Sequence, residues 1–251
     1  MSSGWKAYAT LDGDQMVSVL VDMGMADSST HSGFPVLVLA RVPLRQPCED
    51  GLEEDAEFEL FEKLFDALDD ASLSAGAMLV ARRTGNGVRE HIFYASESEP
   101  LEQGIRQVML GFPGYACEIE TQADPDWAYF LGAVFPSDID LQIMANDHMC
   151  EKLRQVGDDL DAPRPIEHCA YFGDEVSRQR FVKMMRTAGF SLSTMLEPDT
   201  ASGEYGLVFS HVGTPNNITS IVAPIFGALQ ALQGRYAGWE AQAVPRSGQT
   251  S

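Results

Sequence analysis

The residues able to do chemistry are scattered along this chain rather than grouped. The side chains that most readily hold a metal are His148, Cys150, His168, Cys169 and His211. His148 and Cys150 stand closer than the usual zinc ligand pairs, and no matching second pair follows. His168 alternates with Ile166, Ala170 and Phe172, which marks it as a core histidine with a satisfied ring. Asp158-Asp159-Leu160-Asp161 has no closing glutamate at calcium-loop spacing and reads as a solvated turn. A Gly-x-Ser-x-Gly elbow, a Walker loop and a dinucleotide glycine fingerprint are absent from the sequence. Gly85-Asn86-Gly87 lies between two strand-like runs and is a hairpin tip, not a phosphate cradle. Carboxylates abound, but no spacing sets one pair apart as acid and base. The reading is non-catalytic, with no catalytic residue, metal or cofactor assigned.

The chain has 251 residues, 45% hydrophobic and 22% charged, enough for two modest domains. Its formal net charge is -20. Residues 1–139 hold 24 acidic against 8 basic side chains, and residues 140–251 hold 13 against 9. Such a chain repels phosphate backbones, so direct nucleic-acid binding is not expected. It attracts a basic protein surface. No apolar run approaches membrane-spanning length, and the opening residues carry no export core, so a cytoplasmic protein with free thiols is expected.

The elements that would position these residues are legible in the second half. His148–Val156 reads as a helix, Pro165–Phe172 as a strand, and Asp174 as the cap of a helix ending at Gly189. Phe190–Leu196 and Tyr205–Val212 are strands around a turn at Glu197–Gly203. Thr214-Pro215 opens a helix, kinked or split by Pro224, and Tyr236–Val244 is the last strand. The order is βαββαβ. In the first half a hairpin (Trp5–Leu11, Gln15–Met23) precedes a strand at Pro35–Leu44 and an amphipathic helix at Glu53–Leu73. A second hairpin (Met78–Thr84, Arg89–Ala95), a helix at Leu101–Leu110 and a strand at Tyr115–Thr121 follow. Without the first hairpin the same order returns. The fold class is α+β: two tandem ferredoxin-like sandwiches, the first with an extra N-terminal hairpin. Residues 1–136 form an acidic domain, 140–245 a second domain, and 246–251 a flexible tail.

Alternation along the last strand puts Trp239 with Ala237, Ala241 and Ala243 toward the helices. The same parity puts Tyr236, Gly238, Glu240 and Gln242 on the open face. Glu167, Cys169 and Tyr171 lie opposite the Ile166 face. Glu167, Tyr171, Tyr236 and Glu240 are therefore expected to form one aromatic-acidic patch for a basic protein partner.

Three segments carry a resemblance: GDDLDAPRPIEHCAYF, then Ala188-Gly189-Phe190, then GRYAGWE. Through Gly157, Asp158, Arg164, His168, Phe172, Gly189, Phe190, Gly238 and Trp239 the second half resembles the regulator of ribonuclease E activity, B type. That resemblance implies a bacterial cytoplasmic protein that binds ribonuclease E and inhibits RNA cleavage by contact. The chain departs from the family's aromatic near Cys169 and its carboxylate near Ala237. The first half is similar to domain of unknown function 695 at Trp5-Lys6-Ala7-Tyr8, Glu49-Asp50-Gly51-Leu52, Arg89–Tyr94, Asp124-Pro125-Asp126-Trp127 and Phe135-Pro136-Ser137; no activity comes with it. The competing reading is a small-ligand or enzymatic role for the N-terminal domain or an interdomain cleft, near Trp127 and Arg89. A homo-oligomer is a third.

Overall fold

Alternating burial decides most of the strands, and two antiparallel sheets result. The computed structural model describes residues 4–198 and 202–246. The chain divides between Asp140 and Leu141 into two compact units. The tail expected at 246–251 lies outside the described residues beyond Arg246, as do residues 199–201 of the expected turn.

The N-terminal unit opens with the hairpin β1 (Trp5–Asp12) and β2 (Gln15–Asp22), followed by β3 (Val36–Pro43) and α1 (Asp55–Ser74). β4 (Met78–Gly85), β5 (Val88–Ala95), α2 (Ser98–Met109) and β6 (Glu118–Ala123) complete it. The sheet order is β1-β2-β4-β5-β3-β6, antiparallel throughout. Asn86 (φ 54°) and Gly87 (φ 74°) both take positive φ, the conformation a tight hairpin turn requires. One sheet face packs Val38, Ala40 and Phe93 against Phe61, Leu64, Phe65 and Leu68 of α1 and Leu101 and Ile105 of α2. The other packs Leu37, Leu39, Ile92 and Tyr94 against Trp127, Phe130 and Val134. Those three side chains come from the segment after β6, which contains one π-helical turn at Phe130–Val134 that periodicity did not reveal.

The C-terminal unit contains most of α3 (Asp138–Gln155), then β7 (Arg164–Phe172), α4 (Glu175–Thr187), β8 (Ser191–Met195), β9 (Tyr205–Gly213), α5 (Ile218–Ala231) and β10 (Arg235–Ala241). Its sheet order is β10-β7-β9-β8. Setting aside the first hairpin, the N-terminal sheet has the equivalent order β6-β3-β5-β4. Ala170, Phe172, Leu207 and Phe209 pack under Phe181, Val182, Met185, Ile225 and Leu229.

Three sequence expectations are corrected here. The first helix of this half begins at Asp138, ten residues before His148, so part of the gap between the domains expected at 1–136 and 140–245 is helical. Ser137 starts it by exchanging hydrogen bonds with Asp140. Of the two outcomes expected at Pro224, a kink or a split, the split does not occur: α5 runs as one helix through Pro224, held by the buried Ile218, Val222, Ile225 and Leu229. β10 ends at Ala241, three residues early, because the following segment turns to a different partner.

Candidate functional site

The site is built on the β7–β10 pair. Along β7, Ile166, His168, Ala170 and Phe172 are buried while Glu167, Cys169 and Tyr171 are partly exposed. This is the alternation of a sheet covered by helices on one face. Beside it, β10 carries a bulge. Tyr236 pairs with Ala170 and Gly238 with Cys169, leaving Ala237 as the extra residue. Gly238 adopts φ 122°, which glycine tolerates and side chains rarely do.

The bulge reverses the parity read from the sequence and corrects the place of Tyr236. Tyr236 lies on the helix-covered face, against the cores that hold Phe181 and Trp239. Its hydroxyl is 2.6 Å from His168 Nδ1. Burial pushes its pKa well above the ordinary phenol value. Beyond the bulge the expected parity resumes. Trp239 is buried, and its indole donates to Asn146 Oδ1 at 3.0 Å. Glu240 lies directly opposite Glu167. Two like charges face each other across neighbouring strands, an arrangement that destabilises a sheet when left alone. Among the described residues neither makes an ion pair. Tyr171 shares their face, with the Arg235 guanidinium stacked 4.7 Å from its ring centroid. Arg235 in turn pairs with Glu204 at 2.9 Å. The structure thus groups Glu167, Glu240 and Tyr171 on one face and removes Tyr236 from it.

A cavity of about 480 Å³ opens at the bulge, lined among others by Glu167, Cys169, Gly238, Trp239 and Glu240, with Asn146 and Met149 of α3. Asn146 escaped the sequence reading. It is fully buried, accepts from Trp239 and donates to Thr219 at 3.2 Å. The available signal was its position four residues before Cys150, the other buried residue of α3.

The remaining motif residues build the frame. Asp158 and Arg164 form a bidentate pair, 2.6 and 2.7 Å, at 1% and 4% exposure. Arg164 also donates to the Gln242 carbonyl, and Asp158 accepts from the Val244 amide. Bonding to Arg164 holds the Asp158 carboxyl below its usual pKa. Gly157, at φ 79°, accepts from the Arg246 amide. The acidic motif therefore clasps the chain leaving β10. Gly189, at φ 90°, ends α4 and leads into Phe190, whose ring meets His168 edge-on at 5.9 Å. Phe172 packs on Phe181 at 5.2 Å. His168 is bonded on both sides, to Tyr236 and to His211 Nδ1 at 2.9 Å, and burial holds its pKa down to about 3. Cys150 donates to the Pro215 carbonyl. Among the described residues no three His, Cys, Asp or Glu side chains gather as metal ligands, and no helix is long and apolar enough to cross a membrane.

In the N-terminal unit Trp127 and Arg89 stand on opposite sheet faces, so one pocket cannot join them. Trp127 is stacked between Tyr94 (3.8 Å) and His31 (4.0 Å). Arg89 points to α1, over Phe61, bonded to Thr84 and Glu53. Asp124 holds the Trp127 segment by accepting from Tyr94, Ala128 and Tyr129.

These features define an α+β protein of two antiparallel-sheet units, the second displaying a partly open sheet surface beside an inner hydrogen-bonded frame. The chain belongs to the family of unknown function DUF695, whose model matches residues 3–133. Residues 143–241 match the model of a second family, described as regulator of ribonuclease activity B. No curated protein matches the chain. Among solved structures, one described as a glycine cleavage system transcriptional repressor is 9% identical with a TM-score of 0.26, covering 82% of this chain and 98% of that one. An unknown protein from Galdieria sulphuraria is 11% identical with a TM-score of 0.22, covering 84% and 98%. Neither likeness carries an argument about this chain.

Proposed function

We propose that this chain is a non-catalytic, protein-binding regulator that contacts a ribonuclease E-type endoribonuclease in the bacterial cytoplasm and restrains its cleavage of RNA. The match of residues 143–241 to a ribonuclease-regulator family carries this reading. We read both units as ferredoxin-like sandwiches, since each contains a βαββαβ run with the same strand order. The contact surface is the open sheet face. Glu167 and Glu240 accept a basic side chain from the nuclease, which relieves their mutual repulsion, and Tyr171 supplies an aromatic anchor. Tyr236 acts from inside, by holding His168 and the bulged strand. The acidity of the chain keeps RNA off and draws the basic partner in.

Capture of purified ribonuclease E by the intact chain tests this reading. Wild type retains the nuclease, and the Glu167→Lys/Glu240→Lys double variant loses it by about tenfold or more. Equal capture by both removes this face from the account, and no capture by wild type removes the partner.

A further inference from the structure

We propose that the outer edge of β1 is a self-association surface, along which β1 of a second copy of this chain pairs antiparallel about a two-fold axis at Ala9. The strand is outermost in the N-terminal sheet, with β2 as its neighbour. Its register with β2 is unbroken from Trp5 to Asp12, and it contains no proline. Lys6, Ala7, Ala9, Leu11 and Asp12 are exposed. A long, regular, open edge is what sheets ordinarily blunt. The other edges are blunted: β6 carries Glu118 and Glu120, β8 is short with an irregular register, and β10 is bulged.

The backbone decides which groups face outward. The Gly4 carbonyl accepts from the Met23 amide at 3.0 Å, in line with the register of β1 on β2. Bonded pairs alternate along an antiparallel ladder, so Lys6, Tyr8, Thr10 and Asp12 turn their backbone groups to β2. Trp5, Ala7, Ala9 and Leu11 turn theirs outward. An antiparallel second copy therefore sets odd-numbered residues opposite odd-numbered ones. Centred on Ala9, each Ala9 bonds the other and Ala7 bonds Leu11 on either side, about six hydrogen bonds in all. That register sets Lys6 opposite Asp12 of the second copy, twice by symmetry. Among the described residues Lys6 makes no ion pair within the chain, and Asp12 stays 61% exposed although it bonds Arg83. Both stand at non-hydrogen-bonded positions, where opposed side chains lie closest. Centred one residue earlier, on Tyr8, Lys6 would face Thr10 and the ion pairs would be lost. Charge thus selects one register and a second copy of this chain over an unrelated strand. On the other face of the sheet Leu11, 66% exposed in the single chain, meets Ala7 of the second copy directly and Trp5 diagonally.

Sedimentation velocity of the full chain tests this. Each copy carries a formal net charge of -20, so the salt is set at about 0.15 M, where repulsion is screened beyond about 8 Å. A dimer forms, half-populated between about 10 and 100 μM because one strand pair is a small interface. The amides of Ala7, Ala9 and Leu11 exchange more slowly as concentration rises. Ala9→Pro removes an outward donor and no bond to β2, and it stays monomeric at the same concentrations. Lys6→Asp weakens the dimer by about tenfold, and Lys6→Asp/Asp12→Lys restores it. Lys6 is exposed, so its variant keeps the fold and decides the matter even where Ala9→Pro disturbs the hairpin. A wild type still monomeric at about 1 mM would overturn the proposal. So would a dimer that Lys6→Asp leaves unchanged, or a monomer whose β1 amides are protected by an extended peptide of another protein.

Discussion

Removing the Asp158 carboxylate would leave Arg164 charged, buried and unpaired. Asp158→Ala is predicted to destabilise the C-terminal unit by about 3 kcal/mol or more, because breaking one side of a buried pair costs more than the pair itself contributes. Urea unfolding followed by Trp239 fluorescence measures it. The histidines give a pH dependence of known sign. Burial holds His168 and His91 at about 3 in the fold, below the ordinary value of 6.5. As pH falls through 6.5 the unfolded chain binds these protons first. Stability present above that pH is lost toward about pH 3, at about 1.4 kcal/mol per pH unit for each ring. His91→Leu removes this share of the slope from the N-terminal unit, and urea titrations between about pH 7 and pH 4 read the difference. At this scale the sequence was informative where a residue's neighbours in the chain are also its neighbours in space. His168 was read as a satisfied core histidine from the apolar residues alternating with it. Its partners Tyr236 and His211 lie 68 and 43 residues away, and no local pattern names them.

The bulge in β10 is the element on which the open face depends. Nothing lies within 4 Å of a Cβ added at Gly238, so Gly238→Ala meets no clash and only the backbone conformation opposes it. A loss of about 1–2 kcal/mol is predicted, readable as a lower urea midpoint of the C-terminal unit. An undiminished midpoint would mean that the bulge tolerates a side chain. The strands were legible because a period of two is written directly in β7, in β9 and in the runs around Asn86-Gly87. The bulge was not, since one inserted residue shifts the parity without breaking the alternation of types around it. Only the glycine signalled it. The first half of α3 was missed for a related reason: of its residues only Asn146 and Cys150 are buried, too few to print an apolar stripe.

For the molecule as a whole, the separation of charge from contact surface sets what a binding experiment should see. Most of the excess acid lies in residues 1–139, and the proposed contact face lies in the C-terminal unit. Association with a basic nuclease is therefore predicted to be fast at low salt and to slow by about tenfold or more as ionic strength rises, with dissociation changing less. Stopped-flow binding at several salt concentrations separates the two rates. The division into two similar element orders was visible in the sequence because each half repeats the order strand, helix, hairpin, helix, strand. What the N-terminal unit contributes was not, because Trp127 and Arg89 stand in the sequence as isolated candidates and the fold sends them to opposite faces. The most direct measurement is the rate at which ribonuclease E cleaves a single-stranded RNA in the presence of this chain. Wild type is predicted to slow cleavage in proportion to nuclease bound, and Glu167→Lys/Glu240→Lys to restore the uninhibited rate. Equal inhibition by wild type and the double variant, or an unchanged rate with wild type saturating the nuclease, would contradict the account.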